Sequence, residues 1–106
     1  MATSTPRVQA DRLRVQADRI AATLKLLANT DRMLLLCKLS EGEHCVGELE
    51  EELDIHQPTL SQQLGVLRNE EVVATRREGK NVFYSISDPA VMKVIAALVR
   101  IYCPKE

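Results

Sequence analysis

His56-Gln57-Pro58-Thr59-Leu60-Ser61-Gln62-Gln63-Leu64-Gly65-Val66-Leu67-Arg68, followed after a short gap by Val72-Val73-Ala74-Thr75-Arg76-Arg77-Glu78-Gly79-Lys80-Asn81-Val82-Phe83-Tyr84-Ser85-Ile86, decides how this chain reads. In the first stretch Leu60, Leu64 and Leu67 recur at three- and four-residue spacing, the pattern of a helix with one buried stripe. Thr59, Ser61, Gln62 and Gln63 are then left to face outward wholly or in part. In the second stretch Val82, Tyr84 and Ile86 alternate as a half-buried strand does, and Glu78-Gly79-Lys80-Asn81 holds the turn residues of a hairpin. Short polar side chains on a helix suit base edges in a DNA groove, while cations near a hairpin tip suit the flanking phosphates.

Upstream, Leu53-Asp54-Ile55-His56 reads as the turn of a helix-turn-helix, with Pro58 tolerated in a first helical turn that needs no backbone donor there. The helix before it begins at Cys45 and places Val46, Leu49 and Leu53 on one side and acids on the other. Cys45-Val46-Gly47-Glu48 has the spacing of a capping box, with a thiol where a hydroxyl is usual. Asn29-Thr30-Asp31 offers an N-cap to a short, mostly buried helix through Leu39. Before that, Val8-Gln9-Ala10-Asp11-Arg12 repeats identically as Val15-Gln16-Ala17-Asp18-Arg19. Seven residues make about two helical turns, so both copies present one face of a first helix that packs on its own domain or on a partner subunit. Downstream, Asp88-Pro89 caps a last helix whose stripe is Val91, Val94, Ile95, Leu98 and Tyr102, ending at Cys103-Pro104.

The expected fold is therefore mainly α with a small β-hairpin, a winged helix-turn-helix of order ααααββα. Residues 1–7 read as a disordered leader and residues 8–106 as a single DNA-binding and dimerisation domain. At 106 residues the core is modest and gains from dimerisation. No apolar run approaches the roughly 20 residues of a membrane span, and the N-terminal residues lack a signal peptide's hydrophobic stretch; the expected location is the cytoplasm, with no membrane partner.

A net charge of −1 argues by itself against a nucleic-acid partner. Its distribution argues otherwise. Residues 41–54 hold Glu41, Glu43, Glu48, Glu50, Glu51, Glu52 and Asp54 without a lysine or arginine, whereas Arg68, Arg76, Arg77 and Lys80 gather around the candidate helix and hairpin. Either cluster alone also fits a solvated face of an ordinary domain. Catalysis is disfavoured: the chain has no glycine-rich phosphate loop and no His-x-x-x-His pair, and although a cysteine and a histidine could be imagined as a pair, a domain this small offers little room for a substrate pocket.

Three cysteines without a signal peptide point away from a disulfide framework and toward thiol or metal chemistry, or simply toward burial as small apolar residues. Cys37, among leucines, reads as core. Cys103 ends a helix and is expected to be open.

Several segments in order resemble one family. Leu27-Ala28-Asn29, Arg32-Met33-Leu34-Leu35-Leu36-Cys37, Val46-Gly47-Glu48-Leu49, Gln57-Pro58-Thr59-Leu60-Ser61-Gln62-Gln63-Leu64, Thr75-Arg76-Arg77-Glu78-Gly79-Lys80 and Ile101-Tyr102-Cys103 make the chain similar to the ArsR/SmtB winged-helix repressors, and most to their sulfide-responsive branch. The resemblance implies a homodimer joined through first and last helices, double-stranded operator DNA as partner, and reactive sulfur species (persulfide, polysulfide) or oxidants as inducer. It places the sensing pair on Cys37 and Cys103, with Cys45 a third thiol of open role. The DNA-binding set is then Gln57, Thr59, Ser61, Gln62, Gln63, Arg68, Arg76, Arg77, Lys80 and Asn81.

No cofactor and no metal is expected. Cys45 falls on the first cysteine of the Cys-x-Cys motif of thiophilic-metal sensors, but Gly47 replaces the second, and the last helix lacks the histidines of the zinc sensors. The alternative is a thiophilic-metal-responsive repressor using Cys45, His44 and the other thiols. One departure concerns shape: Glu71 stands where many relatives carry the glycine that ends the recognition helix, so either a less tight helix end or a strained turn is expected there.

Overall fold

The computed structural model describes residues 9–104; the expected leader and Val8 lie outside them. Asn29 starts the second helix as expected, its side chain accepting the Arg32 amide at 3.0 Å. Asp88 does the same for the last, accepting from Ala90 and Val91 at 2.9 and 3.3 Å ahead of Pro89. The elements run α1 (Ala10–Leu27), α2 (Thr30–Leu39), β1 (His44–Cys45), α3 (Val46–Leu53), α4 (Thr59–Asn69), β2 (Val73–Glu78), β3 (Asn81–Ile86) and α5 (Pro89–Tyr102). The five helices and the hairpin follow the expected order. One strand was not anticipated: β1 pairs antiparallel with β3, His44 opposite Tyr84 and Cys45 opposite Phe83, giving a sheet of order β1-β3-β2. Two residues are too short for any period-two signal, so only the pairing reveals them.

The buried stripe of α4 is the one its leucine spacing predicts, Leu60, Leu64 and Leu67. It meets Leu35, Leu36 and Leu39 of α2, Leu49 of α3 and Val91 and Ile95 of α5 in one core. The hairpin turns over Gly79 and Lys80 between the pair Glu78 and Asn81, with Gly79 at φ +63° in the first loop position, where a side chain would be strained. Val73, Thr75, Tyr84 and Ile86 share the sheet face turned to the core, and register puts Arg76 and Phe83 on the other.

Two helix ends use a left-handed residue that is not glycine. Asp54 at φ +55° closes α3 and turns the chain toward α4. Glu71 at φ +59° closes α4: its amide donates to Arg68 O and that of Val72 to Leu67 O, both at 3.0 Å, while Val72 and Leu67 are buried. This is a Schellman ending with a glutamate in the glycine position, so of the two expected outcomes the strained turn is present and the helix end stays tight.

Helix α1 buries Leu27 in the core and packs Leu26 against it; Leu13, Val15, Ile20 and Leu24 are exposed on it. Ile101 and Tyr102 on α5 are 68% and 78% exposed, so the α5 stripe enters the core at Val91 and Ile95 and leaves it before Tyr102. No helix among the described residues is long and apolar enough to cross a membrane.

Candidate DNA interface and thiol cleft

Helices α3 and α4, joined by Asp54–Pro58, present the exposed face of α4 beside the hairpin. Ser61 and Gln62 are exposed and Thr59 is half-buried. Gln57 Oε1 accepts both the Ser61 amide at 3.1 Å and the Ser61 hydroxyl at 2.6 Å, capping the first turn of α4. The Gln57 amide nitrogen keeps its donors for an outside acceptor. His56 is tied back to α3 through Asp54 at 2.7 Å and Glu50 at 3.5 Å. Those two carboxylates, Asp54 foremost, hold the imidazolium form and push the His56 pKa up.

Gln63 is the residue whose surroundings differ most from expectation. It is half-buried, and its Oε1 accepts from Arg32 Nη1 at 2.9 Å, while Arg32 Nε donates to the Leu26 carbonyl at 2.6 Å. Arg32 thus pins the end of α1, the start of α2 and the middle of α4 together. Nothing local in the sequence signals this, since Arg32 and Gln63 are 31 positions apart; a lone cation ahead of a leucine run was the only hint.

The hairpin cations also divide. Arg77, Lys80 and Arg68 are exposed and make no ion pair among the described residues. Arg76 is engaged on the opposite face from Arg77: its guanidinium lies 4.8 Å over the Phe83 ring, donates to both oxygens of Glu43 and reaches Glu78 at 2.5 Å. The hydrogen bonds from that guanidinium lower the Glu43 pKa. The acidic run is not a bare solvated face either. Lys38 bridges Glu41 at 3.2 Å and Glu52 at 2.7 Å, so α2 supplies a cation that the segment itself lacks.

Away from this surface, Cys37 of α2 and Cys103 at the end of α5 open on one apolar cleft of about 360 Å³, lined also by Met33, Leu98, Val99 and Tyr102. Cys37 is half-buried rather than core, and Cys103 is exposed. Burial pushes the Cys37 thiol up, and the nearness of Cys103 adds to it. Cys45 is elsewhere, half-buried in β1, its amide donating to Glu48 Oε1 at 2.9 Å in the reciprocal half of a capping box. His44 Nδ1 contacts the Gly42 carbonyl at 2.9 Å. Among the described residues no three of His, Cys, Asp and Glu come together as metal ligands, so His44 and Cys45 gain no third donor from the fold.

A helix-turn-helix with an open second helix, flanked by a cationic hairpin, defines a winged-helix DNA-binding regulator. The sequence pattern of the "Bacterial regulatory protein, arsR family" matches residues 29–75. The biofilm growth-associated repressor of Agrobacterium fabrum is 52% identical over 87 residues, 82% of this chain and 74% of that one. The crystal structure of the transcriptional repressor BigR from Xylella fastidiosa superposes with TM-score 0.85 at 42% identity, covering 92% of this chain and 99% of the other. The transcriptional activator HlyU of Vibrio cholerae is 44% identical over 76% of this chain and 74% of its own; its reduced form superposes with TM-score 0.83 at 38% identity over 87% and 97% of the two chains. The chain belongs to the arsR family of bacterial regulatory proteins, and it is a transcriptional regulator, not an enzyme.

Proposed function

We propose that the protein is a homodimeric repressor that holds operator DNA while its thiols are reduced and releases it when reactive sulfur species or oxidants link Cys37 to Cys103. The observation that carries this reading is the shared cleft: two cysteines 66 positions apart in sequence, 103 − 37, line one apolar pocket between α2 and α5. Sequence-specific contacts come from Gln57, Thr59, Ser61 and Gln62 on and before α4, and phosphate contacts from Arg68, Arg77, Lys80 and Asn81. Gln63 and Arg76 act from within the chain. Of the relatives, two are named repressors and one an activator; occupancy and release of DNA are common to both modes, and repression is the simpler consequence of a protein seated on an operator.

The chemistry balances with an inorganic polysulfide as the oxidant. A thiolate, first the exposed Cys103, attacks a sulfane sulfur, gains it as a persulfide and expels a hydrosulfide. The second thiol loses its proton and attacks the inner sulfur of that persulfide, expelling HS⁻ and closing the bridge; the two cysteines lose two electrons and the polysulfide gains them. In a cleft wider than a direct disulfide spans, with Cα atoms beyond about 7 Å, a second polysulfide first converts the other cysteine to a persulfide as well, and the terminal sulfur of one persulfide attacks the inner sulfur of the other, expelling HS⁻ and leaving a trisulfide. Either link fastens α5 to α2. The exposed apolar residues of α1 together with Ile101 and Tyr102 of α5 supply the face for a second copy, so fastening α5 shifts the two α4 helices out of a spacing of about 34–36 Å along the duplex.

The test is mass spectrometry after separate exposure to peroxide and polysulfide, with DNA binding followed in parallel. Cys37→Ser and Cys103→Ser keep DNA affinity and lose the release; Cys45→Ser still responds. A Cys45→Ser protein that fails to respond while Cys37→Ser remains inducible rejects the pair.

A further inference from the structure

The hairpin carries two adjacent arginines, and the fold treats them oppositely. Arg77 stands opposite Val82 on one face of the sheet and makes no ion pair among the described residues, whereas Arg76 stands opposite Phe83 on the other, half exposed but held by two acids and the Phe83 ring. Its guanidinium reaches from β2 across β3 to Glu43, which lies just ahead of β1 on the far edge of the sheet. Glu78, two residues nearer the turn, accepts from its remaining amine. One cation therefore sits between two carboxylates and over an aromatic ring, and the cluster has a formal charge of −1. A forked contact from guanidinium to carboxylate, reinforced by a second acid and a ring, is a geometry that holds an arginine in place.

We propose that Glu43 is a specificity-determining residue for DNA binding: by occupying Arg76 within the chain, it withholds one cation per subunit from the DNA backbone and so holds down sequence-independent affinity. The reasoning is electrostatic. Binding to arbitrary sequences comes from neutralising phosphates and releasing their counterions, while base contacts decide the preferred site. Discrimination is the ratio of the two, and a genome offers far more arbitrary sites than operators. A regulator of net charge −1 keeps the exposed Arg68, Arg77 and Lys80 for anchoring; freeing Arg76 would strengthen binding everywhere, including where no base contact is made. Coupling of Glu43 to Arg76 across 33 positions explains why an acid in the turn after α2 bears on the wing at all. The same pairing lowers the Glu43 pKa, so its carboxylate stays charged against Arg76.

The inference rests on the reading that the wing meets phosphates, and the experiment separates the two. Affinity of the full-length reduced protein for a labelled random-sequence duplex is measured by anisotropy across a salt series, for wild type, Glu43→Gln, Arg76→Ala, the double variant and Arg77→Ala. Glu43→Gln binds more tightly than wild type, with a log–log salt slope steeper by about 0.9 per subunit. Its advantage therefore shrinks by roughly threefold per subunit between about 50 and 200 mM salt. Arg76→Ala alone changes little, and in the double variant it cancels the gain. Unchanged or weaker binding by folded Glu43→Gln, or a gain that survives Arg76→Ala, overturns the assignment. Glu78→Gln, which loosens the same guanidinium from the other side, makes the same prediction if Glu43→Gln does not fold. Arg77→Ala reports on the underlying reading: a slope shallower by about one contact upholds the wing's place on phosphates, and an unchanged slope removes that reading together with this inference.

Discussion

Two adjacent glutamines of one helix are expected to fail in different assays. Gln62 is exposed on α4, whereas Gln63 is half-buried and supplies one of the two acceptors that hold Arg32. Gln63→Ala leaves Arg32 Nη1 without its partner in a half-buried setting. A hydrogen bond to a charged group contributes about 1.5–3 kcal/mol; partial solvent access and alanine's better helix propensity reduce the expected loss to about 1–2 kcal/mol. For a domain of this size each kcal/mol moves the melting temperature by about 4–8 °C. Gln62→Ala removes no hydrogen bond among the described residues and should leave the melting curve in place, yet cost about 1–3 kcal/mol at the preferred site, roughly 5- to 150-fold in Kd. Thermal denaturation at fixed protein concentration, with anisotropy on a duplex enriched from a random pool by the wild-type protein, reads both. If Gln63→Ala melts like wild type and loses sequence discrimination while Gln62→Ala is silent in both assays, the assignment of the two side chains is refuted.

Glu71→Gly removes a side chain from the left-handed position that ends α4, and should raise stability by about 0.5–1 kcal/mol; a lower denaturation midpoint would show that Glu71 makes a compensating contact. Leu24→Glu places a charge on the exposed apolar face of α1 without disturbing the core, and should yield monomers by light scattering with loss of DNA binding, whereas an intact dimer would move the interface elsewhere. His56 has a pKa raised above its ordinary 6.5 by Asp54 and then Glu50. Its contribution is therefore complete below that value and is lost as pH climbs through the raised pKa. The stability gap between wild type and His56→Gln should be wider at about pH 6 than at about pH 8 and should narrow in salt; an equal gap at both would remove the ion pair from the account.

What could be read from residues in order is what local chemistry encodes. The leucine spacing of α4, the Asn29 and Asp88 caps, the Gly79 turn and the misfit of Glu71 each depend on neighbours within one or two helical turns, and each appears in the structure where the sequence placed it. The resemblance supplied the family and pointed to Cys37 and Cys103. Tertiary structure alone decided the rest. It lifted Cys37 out of the core and onto the same cleft as Cys103, paired β1 with β3, committed Gln63 to Arg32, and separated Arg76 from Arg77 by closing Glu43 over one of them. Those outcomes join residues some 30 to 66 positions apart. Periodicity and capping carry no information at that range, because a side chain's partner there is chosen by how helices and sheet pack against each other.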